Sequence, residues 1–138
     1  MNTMSTLILI LFSYVGFGQV SVDVAAPLTE RYLGKKTYWL SGTLTFETIQ
    51  QMESSQFELG DRDIMSFGND PSPYWYRIYF ENSGNVTKHV YLHHPTIEPK
   101  QFDIFLDNTR IGSLTTDTPL FDRIHKLEIP PKKRIPFQ

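Results

Sequence analysis

Ser72-Pro73-Tyr74-Trp75-Tyr76-Arg77-Ile78-Tyr79-Phe80-Glu81-Asn82 is the stretch that decides the fold. It is aromatic-rich and alternating, launched by Pro73 and closed by Asn82 ahead of Ser83-Gly84. Side chains alternate faces along a strand, so Tyr76, Ile78 and Phe80 share one side and Trp75, Arg77 and Tyr79 the other. Such a segment belongs in a half-buried antiparallel sheet.

Working outward, the strand signals continue. Ser83-Gly84-Asn85 makes a turn, and His89-Val90-Tyr91-Leu92-His93 follows as a candidate antiparallel partner, ended by His94-Pro95. Phe102 to Leu106 is a further strand closed by Asp107-Asn108, and Arg110-Ile111-Gly112 carries on the rhythm. Upstream, Val20 to Val24 alternates and Lys36 to Leu40 reads as a strand stopped by Ser41-Gly42. Leu44 to Met52 is the best helix candidate, with Phe46, Ile49 and Met52 at threefold spacing. Short strands at this spacing predict an all-β, jelly-roll-like antiparallel sandwich with one short helix near 44–52.

The 138 residues suffice for one domain with a sizeable core. Aromatic residues make up 14%, which suits pleated surfaces and ligand platforms alike. A net charge of −2 gives no electrostatic case for nucleic acid. Lys132-Lys133-Arg134 follows two prolines and reads as a solvated turn. With no cysteine there is neither a disulfide framework nor a thiolate metal site.

The amino end reads as an export signal. Leu7 to Phe12 is a short apolar core, and Gly16 and Gly18 supply the small residues of a cleavage site. That run is shorter than the roughly 20 residues a membrane span needs. Residues 1–18 are therefore expected to be removed, leaving 19–138 as a single extracytoplasmic domain. At the other end, Ile135-Pro136-Phe137-Gln138 reads as a strand just starting. A sandwich stopping there would expose an edge, so the chain is read as truncated, its final strand missing.

The motifs, taken in order, resemble the second extracellular domain of the bacterial seven-transmembrane receptors with diverse intracellular signalling modules. They are Leu44-Thr45-Phe46-Glu47, then Phe57 and a loop with Gly68, then the aromatic-Trp-x-Arg strand Tyr74 to Asn82. An apolar strand ending near Pro95, the Asp-bearing strand Phe102 to Asn108, and Pro119-Leu120-Phe121-Asp122-Arg123 before a Pro-Pro turn complete the set. Two departures stand out: the stretch between Arg123 and Pro130 is short, and the pattern's last strand is not evident. The resemblance implies a jelly-roll sandwich, similar to carbohydrate-binding modules, that acts as the sensor ahead of a membrane bundle. An intracellular kinase, cyclase or phosphatase output would lie outside this chain.

Alternation places Trp75, Arg77 and Tyr79 on the face away from the expected core, with His89, Tyr91 and His93 and with Asp103 and Phe105 on theirs. If these strands are neighbours, the face is an aromatic platform edged by Arg, His and Asp, suited to a saccharide. The competing reading gives Trp75 to the core and Arg77 to a carboxylate partner.

Other chemistry finds no support. His93-His94 point to opposite faces and lack a third ligand, so no metal site is expected. Glu58, Asp61 and Asp63 miss the calcium-loop pattern, because Ser66 and Ser72 stand where Gly and Glu belong. No nucleophile-elbow, phosphate-loop or dinucleotide signature occurs. The expectation is a non-catalytic, cofactor-free ligand sensor, exported and partnered by a saccharide or small molecule and by its receptor's membrane bundle. The alternative is a free exported carbohydrate-binding or periplasmic binding protein.

Overall fold

The computed structural model describes residues 19–27, 32–66, 70, 72–93, 101–115 and 117–138. The segment read as a leader, 1–18, lies outside these, as do Gly68 and His94-Pro95. Among the described residues the strands are β1 Val22–Asp23, β2 Thr37–Ser41, β3 Glu58–Leu59, β4 Tyr74–Asn82, β5 Lys88–His93, β6 Gln101–Leu106, β7 Thr109–Thr115, β8 Ile124–Ile129 and β9 Lys133–Phe137. The one α-helix among the described residues, α1, is Phe46–Gln51.

Seven strands form a sheet of order β3-β2-β4-β9-β6-β7, with β1 parallel to the end of β4. The remaining pair, β5-β8, makes a small antiparallel sheet. The architecture is an all-β, mainly antiparallel sandwich with a short helix.

Two neighbour relations differ from the sequence expectation. β5 does not pair with β4; it crosses to the small sheet, where Val90 lies opposite Leu127. The terminal segment does not leave an open edge either. β9 sits inside the sheet, with Ile78 opposite Phe137 on one side and Leu106 opposite Phe137 on the other. Phe105 and Gln138 also exchange backbone hydrogen bonds of 2.6 and 2.9 Å. The short stretch after Arg123 is β8.

The main core lies between the sheets. Phe80, Ile104, Leu114 and Phe137 from the large sheet meet Val90, Leu127 and Ile129 from the small one, with Val22 and Val24 alongside. Ile104, Leu127 and Ile129 are wholly buried, each contributing about 1.5–3 kcal/mol of apolar burial. A second cluster covers part of the opposite face of the large sheet: Tyr38, Ile49 and Phe57 with Leu40, Leu44, Met52, Trp75 and Tyr79. Both faces of β4 are therefore covered, each over a different part of the sheet.

Local signals set α1. Thr45 caps its start by accepting from the Thr48 N–H at 3.3 Å, and Ile49 points inward with no exposure. The cap releases the chain into extended backbone at Met52.

Glycine is required where the loop after β3 meets the turn before β2. Gly34 donates to the Asp63 carbonyl at 2.9 Å and Gly60 to the Thr37 carbonyl at 2.8 Å. A Cβ on Gly34 would stand 2.7 Å from the Asp63 carbonyl carbon, and one on Gly60 2.7 Å from Met65 Sδ. Backbone cannot yield as a side-chain tip can. Gly34→Ala is expected to lower stability by about 1–3 kcal/mol and to displace residues 61–66. A urea unfolding curve showing under about 0.5 kcal/mol of loss would mean that the loop simply gives way.

Candidate functional site

The small sheet covers only part of its side of the large one. It lies over Phe80 and Ile104, and toward the Tyr74 end of β4 four half-buried rings follow on that side, Phe102 among them also packing against the main core. Trp39 stands opposite Tyr76 in the β2–β4 ladder, and Tyr74 shares the Tyr76 side of β4. Phe102 on β6 joins them because the β9 ladder against β4 stops opposite Ile78. Ring centroids step 6.2 Å from Trp39 to Tyr74, 6.5 Å to Tyr76 and 6.4 Å to Phe102, the last two steps stacked.

Trp39 also forms a wall of an open cleft of about 160 Å³, completed by Asp61, Arg62, Ile64, Met65 and Ser66. The two glycine contacts just described hold this loop against β2. At the next ring of the row, Tyr74 Oη donates to Asp70 Oδ2 at 2.5 Å, and the Ser72 N–H donates to Asp70 Oδ1 at 2.9 Å. These donors favour the ionised carboxylate, so Asp70 titrates below the usual range. Conversely, the hydrogen bond to Asp70 pushes the Tyr74 phenol up to about 12. Burial raises the Tyr76 phenol.

Asp63 meets Lys35 at 3.2 Å, whereas Asp61 is only 3.8 Å from Arg62 Nε, both side chains being largely in solvent.

The residues expected from sequence to form a platform fall in three places. Trp75 and Phe105 do come together, but around Phe46 of α1, which stacks on Phe105 at 3.7 Å and on Trp75 at 6.4 Å. Arg77, 3% exposed, lies beneath α1. It donates from Nη2 to the Ile49 carbonyl at 2.5 Å and from Nη1 to that of Met52 at 2.8 Å. Its guanidinium lies 4.4 Å over the Phe57 ring. Arg77 thus caps the carboxyl end of α1, and its partners are carbonyls rather than the carboxylate the alternative reading supposed.

Tyr79 sits beside it, its hydroxyl 2.9 Å from Ser54 Oγ, under the Arg134 guanidinium. Asp103 is exposed and bound to Arg110 Nη2 at 2.6 Å. Tyr91 and His93 are exposed on the outer face of the small sheet, opposite Lys126 and Ile124. The expected platform is therefore covered by α1 over Trp75, Arg77 and Tyr79, and it is separated from Tyr91 and His93.

Trp39, Tyr74, Tyr76 and Phe102 were not picked out by sequence reasoning. Alternation had already grouped Tyr76 with Ile78 and Phe80, which placed it in the core. The available signal was quantity, since β4 carries rings on both of its faces.

Among the described residues no group of His, Asp or Glu is arranged to hold a metal ion. No helix among them is long and apolar enough to cross a membrane. A family model described as 7TMR-DISM extracellular 2 matches residues 34–128. No curated protein and no solved structure matches.

Proposed function

The chain belongs to the 7TMR-DISM extracellular 2 family, and from that premise we propose that it is the ligand-sensing, non-catalytic domain of a transmembrane signalling receptor. Membership implies an exported, extracytoplasmic location. The ligand is a saccharide, and its seat is the face bearing Trp39, Tyr74, Tyr76 and Phe102. The observation that carries this reading is that row of half-buried rings at 6.2–6.5 Å spacing. Sugar rings present flat C–H faces that stack on aromatic rings, and hydroxyls at their edges meet carboxylates and amides. Binding there shifts the receptor only through different affinities for its two states. The partner is the membrane bundle of the same receptor.

A glycan array followed by titration calorimetry tests the site. For any saccharide captured, Tyr76→Ala is expected to weaken binding about tenfold or more. Tyr91→Ala, on the far side of the small sheet, is expected to leave it unchanged. A captured glycan indifferent to Tyr76→Ala but lost with Tyr91→Ala would move the site to the outer face of β5. Melting curves of both variants separate lost binding from lost fold.

A further inference from the structure

Cleavage of the expected leader after Gly18 would make Gln19 the first residue of the mature chain. An amino-terminal glutamine carries an amine and a side-chain amide on one residue, spaced to close on each other. Here the fold holds that residue at both of its other ends. The Gln19 carbonyl accepts from Arg134 Nη2 of β9, and Gln19 Nε2 donates to Ser54 Oγ. Ser54 Oγ is itself 2.9 Å from the Tyr79 hydroxyl. The Val20 N–H donates to Tyr38 Oη at 2.8 Å, and β1 then runs alongside β4.

Charge decides what this arrangement favours. The nitrogen and carbonyl oxygen of one residue lie about 3 Å apart, so a Gln19 amine stands within about 6 Å of the Arg134 guanidinium. Arg134 is fixed in place over the Tyr79 ring, 5.5 Å from its centroid. Glu81, the acid opposite Arg134 in the ladder, accepts from Ser21 Oγ at 2.9 Å. A protonated amine beside Arg134 meets like charge, which favours the neutral amine. The neutral amine is the form that attacks a carbonyl carbon.

We propose that Gln19 is a modification site, which closes to pyroglutamate once the leader is removed, with Arg134 promoting the closure. The amine nitrogen attacks Cδ of its own side chain. A bond from that nitrogen to Cδ forms, the Cδ–Nε2 bond breaks, and Nε2 leaves as ammonia with the proton the amine gives up. Nothing is oxidised or reduced, and no co-reactant is consumed. The product is a neutral five-membered lactam that relieves the repulsion with Arg134 and leaves no free amine at the end of the chain. The inference rests on the leader reading and is independent of the saccharide.

The test is to produce the full chain with its leader in an exporting bacterium. The purified exported protein is then followed over time by intact mass and by stepwise amino-terminal degradation. The expected product begins at residue 19, is lighter than its sequence by one ammonia, and is blocked to degradation. A chain that begins at Gln19 and stays open would overturn the cyclisation and leave the leader reading standing. One that begins elsewhere, or keeps Met1, would overturn both. Gln19→Asn, whose shorter amide cannot close this ring, should begin at residue 19 at full mass. Loss of ammonia in that variant too would overturn the assignment to Gln19. Arg134→Gln is expected to slow closure about threefold or more, and an unchanged rate would overturn the part given to Arg134.

Discussion

Replacing Arg77 by methionine is expected to lower the unfolding free energy by about 3 kcal/mol, although methionine fills similar space and is the more apolar of the two. Arg77 donates to the Ile49 and Met52 carbonyls, which end α1. Hydrogen bonds from a charged donor contribute about 1.5–3 kcal/mol each. Relief of the guanidinium's own desolvation opposes this loss. The Met52 carbonyl, however, would lose its charged donor, the Ile49 carbonyl would keep only the Met52 N–H at 3.1 Å, and the 4.4 Å contact over Phe57 would lose its cation.

Arg77→Lys should recover only part of the loss. A single ammonium cannot reproduce a planar fork reaching two carbonyls and Gln138 Oε1 at once. Hydrogen exchange should show the effect concentrated in residues 46–52, with β5 and β8 little changed. A measured loss under about 1 kcal/mol would mean that Phe46 and Ile49 alone hold α1 down.

Asn82 carries the second large effect. It is wholly buried, and its amide donates to the Val86 and Ile129 carbonyls, both at 2.8 Å. Its Oδ1 accepts from the Gly84 N–H at 3.0 Å. One side chain thus joins the end of β4, the turn into β5 and the end of β8. Asn82→Leu removes all three bonds. Water reaches the turn but not Ile129, so the expected cost is about 2–4 kcal/mol, read from urea unfolding.

Asn82→Asp gives a signature of its own. Its carboxyl would face two carbonyl oxygens in a buried site, which raises the folded-state pKa above the unfolded value. The folded state then holds the extra proton, and the deficit relative to wild type should shrink as pH falls through that raised pKa. A deficit independent of pH would show that the carboxyl escapes to water.

Much of the fold is legible locally. The alternation of β4, the strands at 37–41, 88–93 and 101–106, and the cap and threefold spacing of α1 all speak for themselves. Strand partners do not. The turn after Asn82 looks like a hairpin closing on β4, yet the Asn82 amide ties it to Val86 and Ile129, and the chain leaves for the other sheet. β9 is hidden for a different reason. Pro136 has no N–H to give a ladder and argues against an interior strand, but its carbonyl still accepts from Asp107 N–H at 2.8 Å.

Which of the predicted site residues come together was decided by the same kind of distant effect. Trp75 and Tyr76 are equivalent in sequence. What separates them is that α1 covers one face while the small sheet stops short on the other. Neither fact is written in β4 itself.

The place of β9 also bears on how the domain can be made. Among the described strands, the backbone ladders of the block β3-β2-β4 and of the block β6-β7 are joined only through residues 133–137. As the chain is synthesised from its amino end, β4 therefore waits some fifty residues for its neighbour. Until those residues arrive, neither the β4–β9 nor the β6–β9 ladder can form. Closure is a long-range, late event of the kind that makes β-rich chains slow to fold, which leaves an interval in which the polypeptide is still loose enough to be threaded across a membrane.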